Sequence, residues 1–323
     1  MEWLTNKAGF ARMNALGAAR VPFLFVISYD KTKLYVKPLD KLDTGVLYKL
    51  EARRNYPRRP FQGTYRFAKT PVSFSRYKQA FDRVQEEIAA GNTYLLNLTF
   101  PAVIETDLNL ESIFRYAKAK FKLLMPGMFC CFSPERFVSI ENDTIATYPM
   151  KGTIDAHLPD AKARILADEK ETAEHVMIVD LMRNDLGMVG RHVRVERFRY
   201  IDRIKAGDKE LLQVSSEVTA RLEEGWCARL GEIFDTLTPA GSITGTPKRK
   251  TTEIIAETEG YDRGFYTGVF GIFDGNSVDS AVMIRFVEQT KEGLVYKSGG
   301  GITADSDVRR EYDELADKVY LPI

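Results

Sequence analysis

The stretch "YTGVFGIFDGNSVDSAVMIRFVE", residues 266–288, holds two runs rich in β-branched and aromatic residues, separated by turn residues and by no helix. Runs of this composition read as strands. Others like them are "VPFLFVISY", "TYLLNLTF", "GMFCCF", "RFVSIEN", "TIATYP", "RHVRVERF", "LLQVSSEVTA" and "GLVYKS". Several follow one another directly, which excludes regular βαβ winding. The pattern predicts an α+β fold of large antiparallel sheets packed as a sandwich, with helices outside. In "SAVMIRFVE" (280–288), Val282, Ile284 and Phe286 share one face, and Ala281, Met283, Arg285 and Val287 the other. Both faces are mainly apolar, so the run reads as one strand covered on both sides. Arg285 is then a charge in a buried strand, which is costly unless an anion meets it.

Helical patterns lie between some of these runs. Phe81, Val84 and Ile88 fall on one face after Ser75 as the expected cap, with Gly91 closing the helix. A long helix is expected from about Asp160 to Met182. Another should run from Pro247 to Glu259, with Gly260 after its end, and a last one from about Asp307 to Tyr320, capped by Asp305 or Ser306. The basic stretch "EARRNYPRRPFQG" (51–63) reads as an exposed, solvated loop.

The 323 residues carry a net charge of +1, which argues against general nucleic-acid binding. No run of about 18 apolar residues predicts a membrane span, and the N-terminus lacks a signal-peptide pattern. Cys130, Cys131 and Cys227 read as buried free thiols of a cytoplasmic protein.

Two helices carry acidic stripes able to do chemistry. Glu171 and Glu174 are three apart on one helix face. Glu311, Glu314 and Lys318 form a second stripe. Where two such stripes face each other they make an oxygen-rich site suited to Mg²⁺, which takes a few carboxylates and keeps positions for water and substrate. The three histidines lack zinc-ligand spacing with the cysteines. Before the last helix, "SGGGITADS" places Gly299, Gly300 and Gly301 where a backbone can approach a carboxylate and aim N–H groups at it. Lys151, in "ATYPMKGTID" (146–155), either faces water or is a buried amine with a task.

Taken together, "SPERF", "YPMKGT", "AEHVMIVDLMRNDLG", "TPAGSITGTPKRKTTEII", "RGFYTGVFG", "SAVMIRF" and "GGGITADSDVRREYDELADKV" resemble, in this order, the chorismate-utilising enzymes. The resemblance covers roughly residues 70–320 and is nearest to the aminodeoxychorismate synthase component I branch. It implies a single chorismate-binding domain over 1–323, with 1–70 a shortened strand-rich portion and 71–323 the catalytic portion. Lys151 marks the branch, since anthranilate synthases, which the chain also resembles, typically carry alanine there.

The resemblance implies that Lys151 is a nucleophile adding to C2 of chorismate while the C4 hydroxyl leaves, ammonia then entering at C4 and expelling it. A lysine attacks only when neutral, and a desolvated pocket lowers its pKa. Glu135 in "SPERF" resembles the family's acid/base near the C4 oxygen. Glu174 and Glu314 resemble the Mg²⁺ ligands, with Glu171 and Glu311 as water-mediated partners. Gly299, Gly300, Gly301 and Lys318 would hold the ring carboxylate, Arg285 and Tyr266 the enolpyruvyl carboxylate, and Gly152 and Thr153 would line the ring. Nothing resembles a glutaminase triad, so a separate glutamine amidotransferase subunit is implied as the ammonia source. The chain departs from the family at Gln213, where a histidine is usual, and at Leu95, where glutamine or, in isochorismate and salicylate synthases, lysine is common. The first disfavours pyruvate elimination and the second disfavours water addition. The shortened N-terminal portion predicts no tryptophan site.

Overall fold

The computed structural model describes residues 1–57, 60–206 and 209–323. Among them are eight helices: α1 (Asn6–Ala18), α2 (Phe74–Ala89), α3 (Leu110–Tyr116), α4 (Ala161–Ala167), α5 (Glu169–Val189), α6 (Leu230–Leu237), α7 (Lys248–Glu259) and α8 (Val308–Asp317). The strands form two antiparallel sheets. The first runs in the order Met150–Asp155, Lys209–Arg221, Thr144–Thr147, Arg136–Glu141, Val278–Val282, Val269–Phe273, Phe23–Ile27, Leu34–Pro38, with Arg191–Ala206 on the free side of Lys209–Arg221. The second runs Gly245–Thr246, Leu95–Thr106, Leu294–Ile302, Phe286–Gln289, Phe129–Ser133, Phe121–Met125, Leu47–Leu50, Arg53–Arg54, with Phe67–Thr70 beside Leu95–Thr106.

The layers follow from which apolar faces meet. Leu24, Val26 and Ile272 of the first sheet pack on Leu123, Phe129 and Phe286 of the second, forming the interior between the sheets. The opposite face of the first sheet, including Phe25, Ile140 and Val218, is covered by α1, α5 and α6 through Met13, Leu186 and Phe234. The second sheet is covered by α3 through Ile113 and Phe114, and by α2, α7 and α8 through Phe81, Ile254 and Leu315. This is the expected arrangement, and burial of these apolar faces is its main driving force.

The decisive stretch 266–288 behaves differently from the single-strand reading. Val278–Val282 pairs within the first sheet and Phe286–Gln289 within the second. Met283, Ile284 and Arg285 form the corner between them, with Arg285 at φ +53°. A strand that changes sheets shows apolar residues on both faces because each half is covered by a different layer. Arg285 is therefore at an exit from the core and half-buried.

Helix ends shift for physical reasons. Ser73, not Ser75, caps α2, its side chain accepting from the Arg76 N–H. The expected helix 160–182 is two: Asp168 adopts an extended conformation, ends α4 and caps α5 by accepting from the Glu171 N–H. Asp307 caps α8, accepting from Arg309 and Arg310. Gly260, at φ +70°, ends α7 as expected. In the basic stretch, residues 51–55 are exposed as expected, but Arg53–Arg54 pairs with Lys49 and Leu50 and Tyr56 is buried against Phe114. Arg58 and Arg59 lie outside the described residues. All three cysteines are buried and free, and among the described residues no helix is long and apolar enough to cross a membrane.

Candidate active site

Lys151 stands on an irregularity of the first sheet. Met150 faces Ser215 and Thr153 faces Gln213, so Lys151 and Gly152 together oppose Val214 alone. This is a β-bulge, a device that re-aims a side chain. Gly152 has φ +88°, which favours glycine, and a Cβ there would lie 3.2 Å from Glu171 Oε2. The re-aimed Lys151 Nζ lies 2.6 Å from Glu174 Oε2, the side chains being 32% and 13% exposed. Burial draws the Lys151 pKa down, but Glu174, Glu171 and Glu314 together outweigh it and hold the amine above the ordinary lysine value. The expectation of a lowered pKa is corrected here: the attraction of these three carboxylates exceeds desolvation.

Behind the bulge lies His175, a residue the sequence reading left without a role. It is fully buried, and its Nε2 lies 2.7 Å from Ser216 Oγ. Burial and then Arg199 push its pKa down to about 4. Ser216 also accepts from the Arg199 N–H through Oγ and donates its own N–H to the Pro149 carbonyl. The neutral ring therefore sits in a bonded wall under the lysine.

The opposite wall is α8 and the strand Leu294–Ile302. Lys318 Nζ lies 2.7 Å from Glu314 Oε1 and donates to the Gly299 carbonyl at 2.9 Å. Burial raises the Glu314 pKa, but Lys318, with Lys151 and Arg285, takes it below the usual range. Glu311 accepts from Ser306 Oγ at 2.8 Å, and burial lifts its carboxyl above that range.

Gly299, Gly300 and Gly301 are not a loop before a helix. They pair with Thr99, Leu98 and Asn97 in mid-strand, and α8 starts only at Val308. On the other edge, pairing with Phe286–Gln289 ends at Lys297. Beyond it every second N–H is turned away from the Leu95–Thr106 strand. A Cβ on Gly300 would lie 3.4 Å from Glu311 Oε2 and 3.7 Å from Lys318 Nζ, so glycine keeps this floor open. Leu95 lies against Gly301, 3.1 Å from a Cβ placed there.

Arg285, at the sheet-changing corner, donates through Nη1 to the Lys318 carbonyl at 2.9 Å and lies over the Tyr320 ring. With Arg310, Glu314 and Lys318 it lines a pocket of about 450 Å³. Tyr266 is buried against Phe286. Glu135 lies beside the same corner, its carbonyl accepting from the Val282 N–H, while Ser242 Oγ donates to Glu135 Oε1 at 2.5 Å. Burial raises the Glu135 pKa against that bond. Thr153 is exposed.

Lys151, Glu171, Glu174 and Glu314 thus share one cleft, with Glu311, Lys318, Arg285 and Gly300 along its other side. Ser242 was quoted in "TPAGSITGTP" but given no role; only the fold reveals its contact with Glu135. Among the described residues no three acidic, histidine or cysteine side chains stand as a ready metal cage. Glu174 and Glu314 instead each hold a lysine ammonium. An all-oxygen donor set with ammonium groups as stand-ins fits a hard cation, which needs only one or two protein carboxylates. A larger cavity of about 640 Å³, between Lys49, Tyr56, Arg115 and Lys122, lies at the other end of the second sheet.

Two wide sheets meeting at an acid-and-lysine cleft define a small-molecule enzyme fold. The chain belongs to the chorismate-binding enzymes, matching that family over residues 23–322. It is 50% identical to a PabA-like protein of Haemophilus influenzae, over 96% of this chain and 95% of that protein. It is 34% identical to aminodeoxychorismate synthase component 1 of Salmonella typhimurium, over 90% of this chain and 66% of that one. Among solved structures it resembles the menaquinone-specific isochorismate synthase of Escherichia coli, with a TM-score of 0.72, 16% identity, and coverage of 98% of this chain and 82% of the other. At that identity the likeness concerns the fold.

Proposed function

We propose that the chain aminates chorismate to 4-amino-4-deoxychorismate, the precursor of 4-aminobenzoate in folate synthesis, in the cytoplasm. The observation that carries this reading is the bulge that turns Lys151 into a cleft of carboxylates, where the related anthranilate synthases typically carry alanine. The neutral amine of Lys151 attacks C2, both ring double bonds shift, and the C4–O bond breaks. Glu135, whose pKa burial raises, supplies from its acid form the proton with which the hydroxyl leaves as water. Ammonia then adds at C4, both double bonds shift back, and the bond to Lys151 breaks, returning the amine.

Arg285 and Tyr266 hold the enolpyruvyl carboxylate. Lys318 and the strand of Gly299, Gly300 and Gly301 hold the ring carboxylate, and Gly152 and Thr153 line the ring. Glu174 and Glu314 would hold Mg²⁺, with Glu171 and Glu311 bonded through its waters. When bound, the ion supplies positive charge that neutralises the ring carboxylate. Leu95 beside Gly301 supports amination over hydration, because no base stands there to activate water. A glutamine amidotransferase subunit would supply the ammonia.

The test is product analysis of the purified chain with chorismate, ammonium and Mg²⁺. The expected product is 4-amino-4-deoxychorismate, and intact-protein mass spectrometry should show a covalent adduct lost in Lys151→Ala. Anthranilate with pyruvate would establish the anthranilate synthase reaction instead. Chorismate binding without turnover would leave a binding subunit.

A further inference from the structure

We propose that Lys151 and Mg²⁺ compete for Glu174, so that the lysine is parked on the metal site until the cation enters and releases it. This rests on the reading of Glu174 and Glu314 as Mg²⁺ carboxylates. Lys151 Nζ already lies 2.6 Å from Glu174 Oε2. Mg²⁺ takes carboxylate oxygens at roughly 2.0–2.1 Å in a near-octahedral shell. An ion on Glu174 would meet an ammonium a few ångströms away, where like charges repel strongly because the cleft is partly shielded from water. One of the two cations has to leave.

The second pair differs in how it is held. Lys318 has the Gly299 carbonyl as a second acceptor at 2.9 Å, and Glu314 is 57% exposed. Lys318 can therefore keep its place on the strand while Glu314 turns to an ion. Lys151 sits on a bulge whose backbone is fixed by Ser215 and Gln213, so only its side chain swings. The cation thus selects which lysine is freed, and it is the one aimed into the cleft. In this arrangement metal entry precedes the availability of the amine, which protects the nucleophile from adventitious carbonyl compounds in the resting enzyme.

The experiment is isothermal titration of the intact protein with MgCl₂, without chorismate, for wild type, Lys151→Met, Lys151→Arg, Lys318→Met and Glu174→Gln. Lys151→Met should bind Mg²⁺ about tenfold more tightly than wild type, the effect of removing one competing cation from a partly buried carboxylate. Lys151→Arg, which keeps the charge, should stay within about twofold of wild type, and Lys318→Met should gain only about two- to threefold. Glu174→Gln should bind more weakly. Thermal melts check that each variant is folded, and Lys151→Gln replaces Lys151→Met if that variant is not. Equal or weaker binding by the folded neutral variants overturns the competition while leaving the metal reading intact. Failure of every protein to take up Mg²⁺ removes the metal reading and this proposal together.

Discussion

Two ion pairs of nearly equal length teach different lessons. Arg263 and Glu259 lie 2.5 Å apart with side chains 2% and 1% exposed; Lys151 and Glu174 lie 2.6 Å apart at the wall of an open cleft. Arg263 has a destination for every donor nitrogen. Nε bonds Glu259 Oε2, Nη1 bonds the Ile243 carbonyl, and Nη2 bonds the Asn97 carbonyl and Glu259 Oε1. Glu259 Oε1 also accepts from the Thr99 N–H and hydroxyl. This pair ties the strand that pairs with Gly299 to the segment carrying Ser242, the partner of Glu135. It is saturated and therefore fixed, which suits the planar, multidentate guanidinium. The Lys151 pair uses a point-charge ammonium on a flexible stem. The difference separates a bond that holds the site from one that the proposed mechanism requires to break.

The largest expected effect tests the functional pair. Lys151→Ala should reduce amination by about a thousandfold or more, yet change unfolding free energy by no more than about 1 kcal/mol, read from product formation and urea titration. Retention of full turnover would remove the amine from the chemistry. Arg263→Met tests the structural pair, since it strands Glu259 inside the protein. We expect a loss of about 3–5 kcal/mol in urea unfolding; a loss under about 1 kcal/mol would show that the pair is dispensable and the contrast false. Glu135→Gln should lower kcat about a hundredfold, with KM little changed. In wild type, activity should fall as pH rises through the elevated Glu135 pKa. A pH profile unaltered by the substitution would relieve Glu135 of its role as acid.

The smallest effect concerns the wall behind Lys151. His175 has a folded pKa near 4, below its ordinary 6.5, so between these values the unfolded chain binds the proton and the folded one does not. Its contribution to stability is complete above about 6.5 and is lost as pH falls towards about 4. Thermal melts across that window should fall, and His175→Asn should flatten the slope. An unchanged slope would place the titration elsewhere.

Sheet content and the positions of α2, α5, α7 and α8 were legible because period-2 and 3.6 patterns survive in the sequence, whereas α1, α3 and α6 were not read from it. The corner at Met283–Arg285 was not, since a strand leaving one sheet for another keeps the composition of a strand buried on both sides. The glutamates were visible as stripes, one of them including Lys318, the partner of Glu314, but the Lys151–Glu174 pair was not, because the two belong to different elements and meet only through a bulge. The place of the glycines within a strand was not legible, because backbone openness looks alike in a turn and at a strand edge. Ser242 and His175 have no local signature at all; each acts through a partner distant in the chain.

The extra residue at Lys151–Gly152 has a further consequence. Because neighbouring side chains in a strand alternate direction, removal of Gly152 by a single-codon deletion would restore even pairing with Val214. Thr153 to Asp155 would keep their partners Gln213 to Leu211 and so their orientation, but Lys151 would pair regularly with Val214 and lose its aim while remaining in the chain. Such a protein would keep the full inventory of reactive groups and still be inert, so a family member identified by the presence of the lysine alone should be checked for the spacing that follows it.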